Sequence, residues 1–335
     1  MTSTRYYTKR LGQSVVTVFA VVTLSFVLIR LMPGGPVDYL RAQYIQQNLS
    51  PEEIQEKIAL YTNIRTDETI LEQYVGYMTS LAQFDLGRSI FYDRSVSAIL
   101  GEAIPWTVLY MSIALCLMFV IGVSLGAFMA YREGSYFDTL STLTAIVANS
   151  VPYYIAAILL VYALGFELSV LPTSGRMNPD TVVGMNVQFV LGVFAHAALP
   201  VLSLVVTGFG GKAITMRGNA ISELGEDYLR VARLRGLSER RIALRYVARN
   251  AILPMYTGMM ISIGTMFGGS VILEMIFAYP GVGYYVFKSI SSRDYPLMMG
   301  GFILITVAVV IGVLIADLTY GKLDPRAGGE SDEAF

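Results

Sequence analysis

The densest cluster of charged, potentially functional side chains occupies residues 226–254, a basic stretch that we call the elbow. Glu226 and Asp227 open it, where negative charge favours the N-terminus of a helix. Gly236 can take the left-handed conformation that ends a helix, and Ser238 is suited to cap a second one. The pattern predicts two short helices around a glycine turn. The segment carries seven arginines: Arg230, Arg233, Arg235, Arg240, Arg241, Arg245 and Arg249.

A basic elbow can serve several purposes, which its sequence leaves open. It can dock a soluble partner, or it can be a solvated loop that fixes orientation in a membrane. A membrane scaffold could use it to bind anionic lipid. A DNA-binding helix-turn-helix also has basic residues around a glycine turn. Apolar spans on both sides, with almost no spacer, argue against nucleic acid as the partner.

No group of residues has the spacing of a catalytic or nucleotide-binding site. The segment from Gly208 to Lys212 has the composition of a P-loop, but Val206 replaces the required earlier glycine and Ala213 the Ser or Thr. The single histidine and single cysteine exclude a zinc site of the usual kind. We therefore expect no enzyme activity, no cofactor and no bound metal. ATP hydrolysis, if it drives this protein, must belong to a separate subunit.

Composition points to a membrane protein. Hydrophobic residues make up 54% of the chain and charged residues 15%, against about 25% charge in a typical soluble domain. Apolar runs have the length of roughly 20 residues that a membrane helix needs. The sequence predicts an all-α polytopic fold with six transmembrane helices. We place them at about 11–32, 105–131, 137–164, 190–214, 252–277 and 298–320.

The distribution of basic residues predicts orientation. The tail at 1–10, the elbow and the tail at 321–335 are basic or begin with basic residues, and positive loops stay in the cytoplasm. Both termini and a coupling loop at 215–251 are therefore expected to be cytoplasmic. The five later spans form a core at 105–320, and residues 33–104 form a long first external loop. Ser50-Pro51 predicts a helix to about Tyr61, and another is expected from Ile70 to Leu81.

Motifs along nearly the whole chain resemble those of one family. The elbow contributes Asp227-Tyr228, Ala232-Arg233, Gly236-Leu237-Ser238, Arg249-Asn250-Ala251 and Leu253-Pro254. Elsewhere the matching segments are Leu31 to Pro36, Gln73-Tyr74, Asp85 to Ser89, Leu171 to Gly175, Glu274, Phe277, Pro280 to Gly283, Asp294 to Pro296, Asp317, Tyr320 and Leu323 to Arg326. In this order they resemble the permease subunits of binding-protein-dependent ABC importers of the dipeptide, oligopeptide and nickel type. In that family the elbow corresponds to the cytoplasmic coupling segment, the EAA loop.

The resemblance implies a set of partners and a coupling site. Expected partners are cytoplasmic ATP-binding subunits, a second permease subunit and an extracytoplasmic substrate-binding protein, with the chain in the cell membrane. Arg230 and Val231 replace the Glu and Ala of the general pattern, as in the peptide subfamily, and Tyr246 stands where a His is expected. The residues implied in ATPase coupling are Asp227, Tyr228, Ala232, Arg233, Gly236, Leu237, Arg249, Asn250 and Pro254.

Two groups of residues within the spans suggest further roles. Polar and aromatic side chains surround Pro152 in the middle of the third span, where a proline kinks a helix. This kink either lines the translocation path or packs against the fifth span; the residues concerned are Asn149, Ser150, Tyr153 and Tyr154. Gly264 and Gly268 form a small-xxx-small face in the fifth span. That face serves either a permease–permease interface or a close helix crossing within the chain.

The sequence thus predicts the transmembrane permease subunit of an ATP-driven importer for peptides or a similar small solute. The alternative is a proton-coupled secondary transporter or a channel that works without an ATPase. Such a carrier needs ionisable groups in the membrane, and the candidates are Glu274 and Asp317. Both are expected near the ends of their spans, within reach of water.

Overall fold

The structure, a computed structural model, describes residues 4–31, 36–62, 69–266 and 271–323, and within these ranges it contains helices and loops but no β-strand. The α-helices, in chain order, are α1 (Thr4–Leu31), α2 (Pro36–Gln46), α3 (Pro51–Thr62), α4 (Ile70–Ala82), α5 (Val96–Tyr131), α6 (Tyr136–Ser150), α7 (Tyr153–Leu160), α8 (Val187–Leu224), α9 (Asp227–Leu234), α10 (Glu239–Ile242), α11 (Ala248–Thr265), α12 (Val271–Ile276), α13 (Val282–Ser291) and α14 (Tyr295–Leu323). Two π-helical stretches, Val161–Glu167 and Ala243–Val247, extend α7 and connect α10 to α11.

Several of these helices are long and apolar enough to cross a bilayer, which confirms an all-α polytopic membrane protein. Among the described residues, α1, α5, α8 and α14 qualify individually, and the bent pair α6–α7 makes a fifth candidate. The predicted span at 252–277 corresponds to α11 and α12, and residues 267–270 between them lie outside the described ranges. The count of six spans therefore stays a prediction.

In the third predicted span, 137–164, the irregularity lies at Pro152 as the sequence predicted, but it is a full break between two helices where a kink was expected. Helix α6 ends at Ser150, α7 begins at Tyr153, and the two segments of the span meet at 91°. Val151 and Pro152 between them are extended, with ψ of 122° and 134°. Proline disfavours the helical conformation of the preceding residue and has no N–H to continue the ladder. Prolines within α5, α8 and α11 do not end those helices, so the break in this span also depends on its surroundings.

The described residues divide into two compact units, and the first contains residues 4–7, 109–266 and 312–323. In this unit α8 packs closely against α6 and α5 at glycines. A side chain at Gly210 would meet the Ala145 backbone, and one at Gly126 would meet Met216 and the Arg217 backbone. Small residues let helix backbones approach where lipid gives no hydrophobic drive for association. Helix α8 is thus packed tightly on more than one side.

The second unit contains the described residues 8–31, 36–62, 69–108 and 271–311. Helices α3 and α4 occupy the positions predicted from sequence, and both begin with a capping box, Ser50 with Glu53 and Thr69 with Glu72. Helix α2 was not predicted. The buried carboxylate of Asp294 caps α14 and accepts hydrogen bonds from the Ser89 hydroxyl and from the Ile90 and Phe91 amides. This carboxylate fixes the loop before α5 to the α13–α14 corner.

Glu274 is buried within the second unit, so the expectation that water reaches it was wrong. Its side chain is 1% exposed and accepts hydrogen bonds from the Thr107 hydroxyl at 2.8 Å and the Tyr284 amide at 2.8 Å. The chain turns after α12 and brings Gly281 against this carboxylate, which closes it off. Asp317 lies in α14, but its side chain is outside the described part of the structure.

Two glycines of α8 provide a matched test of the packing against α6. Alanine at Gly210 would bring its Cβ to 3.0 Å from the Cα of Ala145, whereas alanine at Gly218 would meet nothing within 4 Å. We expect Gly210→Ala to destabilise the chain by ~1–3 kcal/mol through overpacking. Gly218→Ala should be neutral or stabilising, because alanine favours a helix over glycine by ~1 kcal/mol. Thermal unfolding in detergent measures both, and equal melting temperatures would contradict the close α6–α8 contact.

Candidate coupling site

The first arm of the elbow is α9, which follows the end of α8 at Leu224 after the two cap residues Gly225 and Glu226. Glu226 is its N-cap residue and Asp227 lies in its first turn, as the sequence predicted. The inner face of α9 carries Leu229 and Ala232, which are 0% and 5% exposed. Leu229 was missed by the sequence analysis, although it lies three residues before Ala232 and therefore on the same helical face. The helix is held against the unit by these two side chains.

The outer face of α9 exposes apolar as well as basic side chains. Val231 is 53% exposed and Leu234 is 81% exposed. Arg230, Arg233 and Arg235 are exposed beside them, and so is Asp227. An apolar residue flanked by arginines on a firmly held helix is the composition of a protein-binding surface.

Gly236 ends α9 in a Schellman motif, the turn that the sequence predicted. Its φ is +73°, in the left-handed region that favours glycine. The Gly236 amide donates to the Arg233 carbonyl at 2.9 Å, and the Leu237 amide donates to the Ala232 carbonyl at 3.3 Å. Leu237 then packs on the buried cluster beneath the elbow. The turn direction is therefore set by hydrogen bonds and by one glycine.

The second arm of the elbow follows Gly236 and consists of α10, the π-helical stretch Ala243–Val247 and the start of α11. Three polar side chains connect the two arms to the end of α8. The Tyr228 hydroxyl donates to the Glu223 carboxylate and accepts a hydrogen bond from the Asn250 amide at 2.8 Å. Burial and, after it, the hydrogen bond to Glu223 raise the pKa of Tyr228 above its usual value. The hydroxyl thus keeps its proton and donates at neutral pH. We call this group, which joins α8, α9 and α11, the brace; Glu223 is a member that sequence motifs did not indicate.

An apolar cluster fills the space under the elbow. It combines residues of α5 and α8 with residues from both arms: Ala130, Met216, Ala220, Leu229, Ala232, Ile242, Val247, Ala251 and Met255. Helix α11 continues through Pro254, and the Asn219 amide donates to the Ala251 carbonyl at 3.0 Å in the preceding turn. Arg249 is exposed on this second arm. The elbow is consequently packed on the ends of α5 and α8 and is not a solvated loop.

The nine residues implied in ATPase coupling fall into three groups in the structure. Tyr228, Ala232, Leu237 and Asn250 face inward and hold the elbow. Asp227, Arg233 and Arg249 face outward, and Pro254 is also exposed. Gly236 forms the turn between the arms.

The residues suggested for the translocation path gather around the break between α6 and α7. Asn149 and Ser150 are exposed at the end of α6, and Tyr154 is exposed at the start of α7 beside Tyr153. The side-chain amide oxygen of Asn149 lies 2.9 Å from the position that a Cβ on Gly211 of α8 would occupy. The contact is thus with the fourth predicted span.

Gly264 lies in a close helix crossing within the chain. It is buried, and a side chain on Gly312 of α14 would come within 2.8 Å of the Gly264 amide nitrogen. This is the second of the two roles that the sequence allowed for this glycine face. Gly268 lies outside the described residues, and the permease–permease interface stays a prediction.

These features define a class: a multi-pass helical membrane protein with a packed, basic elbow between two of its predicted spans. Comparison with known sequences agrees. The pattern of the family described as "binding-protein-dependent transport system inner membrane component" matches residues 122–329. The chain belongs to this family.

Relatives that match over most of their length are transport permeases. The dipeptide transport system permease protein DppB of Bacillus subtilis is 30% identical over 96% of this chain and 97% of its own. The oligopeptide transport system permease protein AppB of the same organism is 31% identical over 96% and 98%. The DppB protein of Escherichia coli K12 is 28% identical over 96% and 98%. The chain is therefore a permease subunit of an ATP-driven importer and not an enzyme, and a proton-coupled carrier is disfavoured.

Substitution of Gly236 tests whether the Schellman turn holds the elbow. Valine cannot adopt a φ of +73° without ~1–3 kcal/mol of strain, although a Cβ at this position would meet nothing within 4 Å. We expect Gly236→Val to leave the chain in the membrane but to speed amide hydrogen exchange over residues 227–250. Gly236→Asn is the control, because asparagine visits this region readily. Equal exchange in the valine and asparagine variants would show that the turn does not hold the elbow.

Proposed function

We propose that this chain forms the translocation path for a peptide or a similar small solute and couples it, through the elbow, to a separate ATPase subunit. The peptide class is supported by relatives named as dipeptide and oligopeptide permeases. The expected assembly also contains a second permease subunit and an extracytoplasmic substrate-binding protein. The termini and the elbow lie in the cytoplasm in this proposal, as the distribution of arginine and lysine favours.

The outer face of α9 carries the proposal. Leu234, 81% exposed, stands between Arg233 and Arg235 on a helix whose opposite face is fully packed. Val231, three residues earlier on the same face, is 53% exposed, and an exposed apolar patch with a polar rim is typical of a protein-binding site. The neighbouring arginines supply charge for an acidic rim on that partner and speed its encounter. A lipid-facing scaffold would use the same charges, but the brace and the buried cluster give this helix the fixed orientation that a protein interface needs.

The mechanism follows from a two-state equilibrium. ATP binding in the partner can shift the permease between inward-facing and outward-facing states if the partner contacts the elbow differently in each. Because Tyr228 and Asn250 tie both arms of the elbow to Glu223 of α8, a displacement of α9 moves the end of α8 with it.

We propose further that the break at Val151–Pro152 lines the path. The extended residues leave helix-end amides and carbonyls without the usual ladder partners, and such groups are tolerated at membrane depth where they face protein or a water-filled cavity. Asn149 and Tyr153 place side-chain hydrogen-bonding groups at the same break.

Replacing Leu234 tests the docking surface. We expect Leu234→Asp to abolish co-purification of a nucleotide-binding ATPase from the native membrane, because a buried carboxylate at an apolar contact costs several kcal/mol. The fold should be unaffected, since this side chain is exposed. Leu168→Asp is the matched control, at a residue 63% exposed in a loop that is predicted to be external. Undiminished recovery of the ATPase with Leu234→Asp, judged by mass spectrometry, would refute docking at α9.

Alanine substitutions at the break test the path. We expect Asn149→Ala and Tyr153→Ala to lower solute uptake about tenfold, equivalent to ~1.4 kcal/mol at the rate-limiting step, with ATP hydrolysis retained. Thr144→Ala, at an exposed residue earlier in α6, should leave uptake unchanged. The measurement is uptake of labelled peptide by proteoliposomes that contain the complete complex. Wild-type uptake in both break variants would remove these residues from the path.

A further inference from the structure

A partly buried ion pair joins α6 to α8 in the unit that carries the elbow. The Arg217 Nε donates to one carboxylate oxygen of Asp138 at 2.6 Å, and Nη2 donates to the other at 2.7 Å. The Asp138 side chain is 4% exposed and that of Arg217 is 28% exposed. A bidentate guanidinium–carboxylate pair fixes the relative orientation of its two partners as well as their distance.

Asp138 is anchored to the start of α6. Its carboxylate also accepts a hydrogen bond from the Gly134 amide at 3.0 Å, and its own amide donates to the hydroxyl of Ser135, the N-cap residue of α6. The carboxylate is therefore fixed relative to the backbone at the beginning of α6, and a displacement of the carboxylate displaces that backbone.

Arg217 is connected to the elbow through α8. It lies on the same continuous helix as Glu223, less than two turns away, and Glu223 is the α8 member of the brace. From Asp138, α6 runs without interruption to Asn149 at the break. The ion pair is thus positioned between the elbow and the break in the third span.

Packing between α6 and α8 does not fix this relation by itself. The contacts of Gly210 with Ala145 and of Gly211 with Asn149 bring the helices close, but glycine contacts have no directional preference. Such packing sets the distance between the helices, whereas hydrogen bonds also set their orientation. The guanidinium fork supplies the directional constraint that the glycines lack.

We propose that Asp138 and Arg217 are positioning residues whose ion pair makes α6 follow α8, so that movement of the elbow reaches the break at Val151–Pro152. The inference rests on the proposed function, since it requires an ATPase that moves the elbow. It adds a specific route, α8 to Arg217 to Asp138 to α6, and assigns a coupling role to two residues outside the elbow.

The test uses the complete complex, reconstituted in proteoliposomes, and measures labelled peptide transported per ATP hydrolysed. Asp138→Asn keeps the shape but removes the charge, and Arg217→Lys keeps the charge but removes the fork. We expect both variants to assemble, to hydrolyse ATP and to transport at least about tenfold less peptide per ATP. Glu133→Gln is the matched control, an acid-to-amide change at an exposed residue before α6, and should leave the ratio unchanged.

A cross-link separates positioning from a merely structural role. On a Cys116→Ala background, the chain with Asp138→Cys and Arg217→Cys should transport little peptide per ATP hydrolysed. A short bis-maleimide that joins the two cysteines should restore most of the wild-type ratio in the same sample. A low ratio of peptide transported to ATP hydrolysed that the cross-link does not raise would overturn the proposal, because joining the helices would then not restore coupling. A further loss of transport on cross-linking would also overturn it, because α6 and α8 would then have to move apart.

The outcomes also separate this inference from the proposed function. Wild-type ratios in both Asp138→Asn and Arg217→Lys would overturn the inference alone, with ATP-driven uptake intact. Failure of the wild-type complex to transport peptide on ATP hydrolysis would overturn the proposed function itself. If Asp138→Asn does not assemble, Arg217→Lys decides the question, because it preserves both the charge and the capping contacts of Asp138.

Discussion

The elbow can transmit movement only if it does not flex against the helix that carries it, and the brace meets this constraint. Tyr228 donates to Glu223 and accepts from Asn250, so one hydroxyl joins the end of α8 to both arms. Buried polar groups cost free energy unless their hydrogen bonds are satisfied, which makes such a network specific for one arrangement. The Schellman turn at Gly236 fixes the angle between the two arms, and the apolar cluster holds α9 against α5 and α8.

Rigidity at the elbow is matched by close packing along α8. Its glycines meet the backbone of α6 and side chains of α5, and Arg217 binds Asp138 through two hydrogen bonds. The third span is different, because it has a right-angled break at Pro152. In the proposed mechanism the packed helix moves as a body, and the broken one offers polar backbone groups to the solute.

The sequence predicted what local chemistry determines. The length of the apolar runs predicted a membrane protein, Gly236 predicted the turn in the elbow, and Ser50-Pro51 predicted the start of α3. Each of these features depends on residues that are adjacent in the sequence. It did not predict contacts between distant segments. The Asn250 amide reaches the Glu223 carboxylate across 27 positions, and Arg217 reaches Asp138 across 79. Gly281 buries Glu274 only after the chain turns back. The break at Pro152 was underestimated as a kink, because the outcome depends on whether neighbouring helices hold the two halves in line.

The most direct test of the central claim, that α9 is the docking surface for an ATPase, is site-specific photo-cross-linking in the native membrane. A photoreactive amino acid would replace Leu234, with Leu168 as the reference position. The account predicts a cross-linked product at position 234, identified by mass spectrometry as a nucleotide-binding ATPase, and none at position 168. Cross-linking at position 234 to lipid alone, or to the same products as at position 168, would contradict it.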